Sequence, residues 1–323
     1  GPIESGISES FCKRKAGKEK IEYIHPDAER YLEETYGLMV YQEQIMQLSQ
    51  ALAGFTMSEA DDLRKAVGKK KQEALDKIEE KWLAGIEKSG KITKIQGRSL
   101  FSDIKKFGRY GFNKSHSVAY AYISIWTAFL KVYYPVEFFA ANMTIEGQGG
   151  DLDKLRYFIY DARSHGIEVT PPDLRDCSWD FKIESDSVIR MGLAGIKGIG
   201  KDAATAFEKR KVRAFDNADF IALFKEFDGT IARKNIIECL IKAGALDFLG
   251  ENRGALIATV PKLISQLRRV RDKEKLGQKV KIREIELAIE ESWKKQQYQI
   301  NERDVYGFYL TSHPLEDCRL EIA

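Results

Sequence analysis

The sequence predicts a mainly α-helical protein with a small β element and a C-terminal helix-hairpin-helix-like subdomain. Three observations support this fold class. Apolar residues recur at three- and four-residue spacing through Glu43–Leu48, as on one face of a helix. Apolar and polar residues alternate at Ile167–Val169 and within Trp179–Met191, which is typical of short strands. The glycine-rich stretch Gly195–Ala204 indicates a tight turn between helices.

The remaining elements follow from periodicity and from residues that start or stop helices. The opening, Gly1–Lys20, is rich in Gly and Lys and is predicted to be a loop or arm. Thr56 and Ser58 are candidate caps for a helix that stops at Gly68. The other predicted helices begin near Asp27 and run to Gly54, cover Gln72–Glu87 and Leu152–Ser164, and resume after Gly192, with a highly charged helical stretch over Arg268–Trp293.

The segment Leu100–Ala141 is the most aromatic part of the chain, and most of its rings are predicted to be core. Within it, Val118–Leu130 is an apolar run that Lys131 ends. The run is too short to span a membrane, so a buried helix is expected.

These changes in texture predict four parts. Residues 1–165 form the main helical domain, and residues 166–191 form the small β element. Residues 192–260 form the helix-hairpin-helix-like subdomain, and residues 261–323 form a charged helical segment that returns to the core.

The distribution of charge favours a phosphate-bearing ligand over a merely solvated helical surface. The net charge is only +3, but residues 60–116 carry 15 Lys and Arg against 8 Asp and Glu. Cysteines at positions 12, 177, 239 and 318 are far apart, which fits reduced thiols in the cytoplasm and argues against a disulfide framework or a zinc site. Neither a signal peptide nor a membrane span is predicted, so no membrane partner is expected.

The first candidate site is the basic stretch Leu63–Lys71, which contains Arg64, Lys65 and Lys69. Five cations in eight residues, broken by Gly68 at a helix end, can face one polyanion. A solvated charged surface is the alternative interpretation of the same pattern.

The second candidate site lies just before the apolar helix, where Asn113, Lys114, Ser115 and His116 are consecutive. Unpaired N–H groups and the helix dipole favour an anion at such a start, so a phosphate site is chemically reasonable. The alternative is a simple cap, with Ser115 or Asn113 as the capping residue.

The third candidate site is the hairpin, with Lys197, Gly198, Gly200 and Lys201. Its glycines allow backbone N–H groups to approach a DNA phosphate, and such contacts carry no sequence information. A plain turn between helices is the alternative. Hydrolytic chemistry finds little support, since the four histidines are scattered and Asp61 and Asp62 point in different directions on a helix.

Read together, these blocks resemble one family, the alpha subunit of bacterial DNA polymerase III, the family C replicative DNA polymerases. Lys65 departs from the family, which often has Arg there, and so loses the planar fork of a guanidinium. The blocks that carry the resemblance are Gly1–Gly6, Tyr36–Gln44, Leu63–Lys71, Phe112–His116, Tyr134–Phe138, Ile167–Asp173, Gly192–Gly200, Leu240–Asp247 and Gly307–Pro314.

The resemblance implies the fingers region of a DNA-directed DNA polymerase, a nucleotidyltransferase. In that family the palm supplies aspartates that hold Mg²⁺. We expect them upstream of Gly1, so that this chain holds no metal and is inactive without its palm-bearing N-terminal part. Further implied partners are template-primer DNA, the incoming dNTP, the sliding clamp and other replisome subunits.

The resemblance also assigns residues to roles. Arg64, Lys65, Lys69, Asn113, Lys114 and His116 are expected to bind the triphosphate, Gln42 and Gln44 to lie near the nascent base pair, and Lys197, Gly198, Gly200 and Lys201 to contact the duplex. Two alternatives stay open: a free-standing, non-specific DNA-binding helix-hairpin-helix protein, and a structural adaptor of the replisome.

Overall fold

The computed structural model describes residues 6–69, 72–107, 111–210, 220–225, 227, 229, 231–278 and 285–315. Several predicted features therefore lie outside the described residues: the junction at residues 1–5, Lys70 and Lys71 of the basic stretch, and Cys318. The described cysteines, Cys12, Cys177 and Cys239, are free thiols.

The predicted fold class is confirmed, since helices dominate and a small three-stranded sheet accompanies them. The helices are α1 (Ile7–Lys15), α2 (Pro26–Leu32), α3 (Gln42–Ala53), α4 (Met57–Gly68), α5 (Gln72–Ser89), α6 (Lys94–Phe107), α7 (Lys114–Tyr133), α8 (Pro135–Gly149), α9 (Leu152–Ser164), α10 (Lys201–Arg210), α11 (Phe220–Lys225), α12 (Lys234–Lys242), α13 (Arg253–Lys275) and α14 (Lys295–Tyr306). The strands are β1 (Glu168–Thr170), β2 (Lys182–Ser185) and β3 (Val188–Arg190).

Three predictions about elements are wrong. The predicted arm contains α1, a polar helix that buries none of its residues. The charged helix ends at Lys275, and residues 285–294 are not helical. The run Val118–Leu130 does form a helix, α7, but α7 buries none of its side chains. A continuous apolar run predicts a helix with an apolar surface to bury. It does not identify the surface that packs against that helix.

The chain divides into two compact units, residues 1–126 and 127–323, with the boundary inside α7. In the first unit, α2 to α6 enclose an apolar core around Trp82, whose indole N–H donates to the carbonyl of Gly97 at 2.9 Å. Close packing needs a glycine at position 85, because a Cβ there would lie 2.1 Å from the carbonyl oxygen of Ala53. Helix α5 thereby approaches α3, which carries part of the candidate site.

In the second unit, the sheet has the order β1-β3-β2, with β1 parallel and β2 antiparallel to β3. Its core joins α8, α9, the sheet and the helices from α10 to α14. The phenol of Tyr306 is fully buried and donates to the carbonyl of Ala243, which ties α14 to the end of α12. In the part of the chain that the structure describes, no helix is both long and apolar enough to cross a membrane.

Candidate functional site

Helix α4 positions the first group of predicted cations. Thr56 caps it as predicted: its Oγ1 accepts from the N–H of Glu59 at 3.3 Å, and the Glu59 carboxylate accepts from the N–H of Thr56 at 2.8 Å. This capping box fixes the start of α4. Arg64 and Lys65 therefore lie two turns further along a helix whose register is set.

Asp61 holds Arg64 and Lys65 together. Arg64 donates from Nε and Nη2 to Oδ1 of Asp61 at 2.9 and 2.8 Å, and Nζ of Lys65 lies 2.6 Å from Oδ2. The hydrogen bonds from Lys65 and Arg64 lower the pKa of Asp61, and the bond to Asp61 raises the pKa of Lys65. Both cations are therefore charged and neighbouring, with one carboxylate between them.

Gln42, at the start of α3, links α4 to the loop before α7. Its Nε2 donates to the carbonyl of Gly111 at 2.8 Å, and its Oε1 lies 3.5 Å from Nη1 of Arg64. The backbone adds a parallel bridge between Tyr41 and Phe112, with the N–H of Gln42 donating to the Phe112 carbonyl at 2.9 Å. The structure thus brings Arg64 close to the second predicted motif, which lies about fifty residues away in sequence.

The start of α7 is capped by protein groups. Oδ1 of Asn113 accepts from the N–H of His116 at 2.8 Å, so the capping interpretation is correct for Asn113. The Glu43 carboxylate accepts from the N–H of Lys114 at 3.1 and 3.0 Å. A carboxylate therefore already occupies part of the position that we predicted for a phosphate.

The side chains of Lys114 and His116 extend from this start. Nζ of Lys114 lies 2.5 Å from Oε1 of Glu34 and 5.7 Å from the centroid of the Tyr41 ring. The exposed His116 ring lies between the rings of Phe112 and Tyr120, at centroid distances of 5.3 and 4.6 Å. Both side chains are accessible to a ligand, which a purely structural cap would not require.

Two other predicted residues, Gln44 and Lys69, differ from each other in exposure. Gln44 is buried, and its amide is fully engaged: Oε1 accepts from the N–H groups of Val40 and Tyr41, and Nε2 donates to Tyr31 and Thr35. A place near a base pair stays a prediction for Gln42 and Gln44. Lys69 follows the last turn of α4 and is exposed, and its N–H donates to the carbonyl of Lys65.

Sequence reasoning missed three carboxylates: Asp61 and Glu34, which pair with predicted cations, and Glu43, which accepts from the backbone N–H of Lys114. Asp61 could have been found, because it stands three and four residues before Arg64 and Lys65 on one helix. Glu34 and Glu43 lie 80 and 71 residues from Lys114 in sequence, and no local pattern connects them to it.

The hairpin lies in the second unit, between a short 3₁₀ turn (Leu193–Gly195) and α10. Gly198 has a φ of 85°, which favours glycine, and the N–H groups of Gly198 and Gly200 donate to no acceptor within the described residues. Lys197 instead faces α14: its N–H donates to the Val305 carbonyl at 2.8 Å, and a Cβ on Gly307 would lie 3.4 Å from its Nζ. Free N–H groups on a braced turn suit a phosphate.

Across the described ranges, no three His, Cys, Asp or Glu side chains are arranged to hold a metal ion.

Comparison with known proteins gives a family-model match within each unit. The fold defines a helical protein with a helix-hairpin-helix motif, and the profile of that motif matches residues 166–256. The profile described as "Bacterial DNA polymerase III alpha subunit finger domain" matches residues 1–90.

Relatives named DNA polymerase III subunit alpha align along nearly the whole chain. The protein from Aquifex aeolicus is 41% identical over 98% of this chain and 26% of its own length. The proteins from Caulobacter vibrioides and Escherichia coli K12 are 36% and 35% identical over 98% and 100% of this chain, and 28% and 29% of their own lengths. Over nearly its whole length the chain is similar to the alpha subunits of bacterial DNA polymerase III, as the sequence predicted, and it spans a little over a quarter of the length of these relatives.

Proposed function

We propose that this chain is the part of a bacterial replicative DNA polymerase that binds the triphosphate of the incoming dNTP and the backbone of template-primer DNA, in the cytoplasm. The observation that carries the proposal is the link through Gln42. It places Arg64 of α4 beside the loop that starts α7, so two cationic motifs contribute to one surface. A triphosphate carries several negative charges over a short length, and cations converging from two helices match it.

The cationic side chains of this chain would bind the triphosphate in place of the carboxylates with which they now pair. Arg64 and Lys65 share Asp61, and Lys114 pairs with Glu34, so every one of these cations is held in place without ligand. A triphosphate offers more negative charge than either carboxylate and replaces them at little cost, because exposed ion pairs are weak. Lys69 and His116 add a cation and a ring donor at the edges, and Asn113 keeps the start of α7 in position.

The remaining chemistry belongs to another part of the polymerase. In the proposal, palm aspartates hold Mg²⁺, which supplies the activation of the attacking oxygen and the neutralisation of the leaving group. This chain contributes orientation of the triphosphate and charge neutralisation, which position the reacting phosphate for attack. The sliding clamp and other replisome subunits stay predictions from the family resemblance.

Helix α7 supports the need for a palm-bearing partner. Its large apolar side chains are mostly exposed, with Tyr120, Trp126 and Tyr133 at 60%, 62% and 66%. A series of exposed apolar side chains along one helix marks an interaction site. We propose that the palm-bearing part packs against α7, so that α7 carries its His116 end into the active site.

The hairpin supplies the DNA contact in this proposal. The N–H groups of Gly198 and Gly200 bind one phosphate of the duplex, and Lys201 at the start of α10 adds charge. Lys197 is assigned to bracing the hairpin against α14, with its charge near the duplex.

Primer extension tests the proposal. The chain is combined with a separately expressed palm-bearing polypeptide, and single-nucleotide incorporation is measured against dNTP concentration. Arg64→Ala and Lys114→Ala should raise the KM for dNTP at least tenfold, whereas Lys94→Ala, an exposed lysine paired with Glu87, should not. Unchanged KM and rate in both variants would show that the triphosphate lies elsewhere.

A free-standing DNA-binding protein is the second candidate, favoured by the free N–H groups of the hairpin. It predicts salt-dependent binding of duplex DNA by this chain with no stimulation of any polymerase. If Lys201→Ala weakens duplex binding and no palm-bearing partner yields extension, this candidate replaces the first.

A further inference from the structure

A cavity in the second unit shares no lining residue with the proposed triphosphate and duplex sites. It has a volume of about 370 Å³ and lies between α9 and a strap, which we define as Tyr309–His313. The lining residues are Tyr160, Arg163, Tyr309, Leu310, Thr311, Ser312 and His313. A volume of this size is in the range of small-molecule sites.

Hydrogen bonds to side chains of α14 hold the strap in position. The buried carboxylate of Glu302 accepts from the N–H groups of Leu310 and Thr311 at 2.9 and 3.0 Å, and from Oγ1 of Thr311. Nε2 of Gln299 donates to Oγ of Ser312 at 3.2 Å. The cavity wall is therefore built before any ligand arrives.

The lining is rich in donors and lacks carboxylates. Arg163 donates from Nη2 to the Leu310 carbonyl, and within the described residues it forms no ion pair. Nδ1 of His313 accepts from the N–H of Leu315 at 3.2 Å, so its Nε2 carries the proton. Ser312 accepts from Gln299, which leaves its own O–H to donate.

Two acidic groups that neighbour lining residues in sequence or by hydrogen bond are already engaged. On α9, the Asp161 carboxylate pairs with Lys131 at 2.7 Å, and Glu302 is occupied by the strap. Arg156 on the same helix differs from Arg163, because it pairs with Asp153 at 3.3 Å. Arg163 therefore lines the cavity without a carboxylate partner among the described residues. An anionic ligand could pair with its guanidinium group there.

The aromatic rings narrow the ligand class. Tyr160 and Tyr309 both line the cavity, and the Tyr309 ring packs edge-on against His313 at 5.3 Å. Aromatic rings beside an arginine form a surface on which a base stacks while its phosphate is held. We propose that this cavity binds one nucleotide unit, with the base against Tyr160 or Tyr309 and the phosphate on Arg163 and His313.

Fluorescence anisotropy tests the proposal with the 323-residue chain and 5′-labelled oligo(dT). Arg163→Gln and Tyr309→Leu should each weaken binding by about tenfold, the scale of one stacked or charged contact. Arg156→Gln is the matched control on the same helix and should change little. Melting curves confirm that each variant folds.

Competition and cross-linking locate the ligand and name its source. Oligonucleotide carrying 5-bromodeoxyuridine should cross-link to peptides that contain Tyr160 or Tyr309. If dTMP competes as well as the oligonucleotide does, the source is a free nucleotide; if the strand is much tighter, it is single-stranded DNA. Cross-links found only elsewhere, equal affinity of Arg163→Gln and Arg156→Gln, or competition by inorganic phosphate equal to that by dTMP would overturn the proposal. None of these results depends on the triphosphate site, whose residues lie in the first unit.

Discussion

Replacing Gln42 by alanine tests how the two cationic motifs are joined. The substitution removes the 2.8 Å hydrogen bond to the Gly111 carbonyl and the 3.5 Å contact with Arg64. A half-buried neutral hydrogen bond contributes about 0.5–1.5 kcal/mol, and a contact at the distance limit adds little. We therefore expect the free energy of unfolding to fall by about 1 kcal/mol. The backbone hydrogen bonds of Phe112 with Gln42 and Val40 stay, so the loop remains folded.

Urea unfolding of the chain measures this loss, and calorimetry with dNTP measures the functional effect. Because Arg64 loses its link to the loop, dNTP affinity should fall several-fold while the net charge of the site is unchanged. Gln47→Ala is the control, since Gln47 is exposed on the same helix. If Gln42→Ala is as stable as Gln47→Ala and binds dNTP equally well, the link through Gln42 has no role.

Three further predictions concern single side chains. The hydrogen bond from Lys81 is the main reason that the pKa of Glu59 falls from 4.5 to about 2. The Glu59 carboxylate therefore stabilises the fold above pH 4.5, and this stabilisation is lost as the pH falls toward 2. Glu59→Gln should therefore be less stable than the parent at pH 7 and equal to it near pH 2 in acid titrations followed by circular dichroism; a constant difference would contradict this. Burial raises the pKa of Cys177 to about 12, so its thiol reacts slowly at pH 8. Iodoacetamide at pH 8 should therefore modify the exposed Cys12 well before Cys177, as followed by mass spectrometry. Equal rates of modification would refute this prediction. Glu302→Ala leaves the donors of the strap unsatisfied and should lower the free energy of unfolding by about 2–4 kcal/mol, whereas a loss below about 0.5 kcal/mol would mean that the strap is held otherwise.

Local signals in the sequence were sufficient for many helix ends. The Thr56 cap, the end of α4 at Gly68 and the span Leu152–Ser164 are as predicted, because capping and glycine act over a few residues. Helix α1 was missed because its polar composition resembles that of an arm. The predicted burial of α7 was wrong. The apolar residues of a helix indicate that it can pack against another surface, but they do not identify that surface.

The candidate site divides in the same way. Arg64, Lys65 and Lys114 could be chosen because charge next to a helix end is visible in sequence. The contacts that assemble them are long-range: Gln42 meets Gly111 across 69 positions, and Lys114 meets Glu34 across 80. Only the folded first unit reveals that Glu34 already pairs with Lys114.

The central claim is that α4 and the start of α7 form one triphosphate site. Calorimetric titration of this chain with dTTP and dTMP tests it most directly. We expect dTTP to bind more tightly than dTMP. Either Arg64→Gln or Lys114→Gln should remove most of this difference, whereas Lys94→Gln should keep it. Equal affinities for dTTP and dTMP, or a preference for dTTP that survives in both Arg64→Gln and Lys114→Gln, would contradict it.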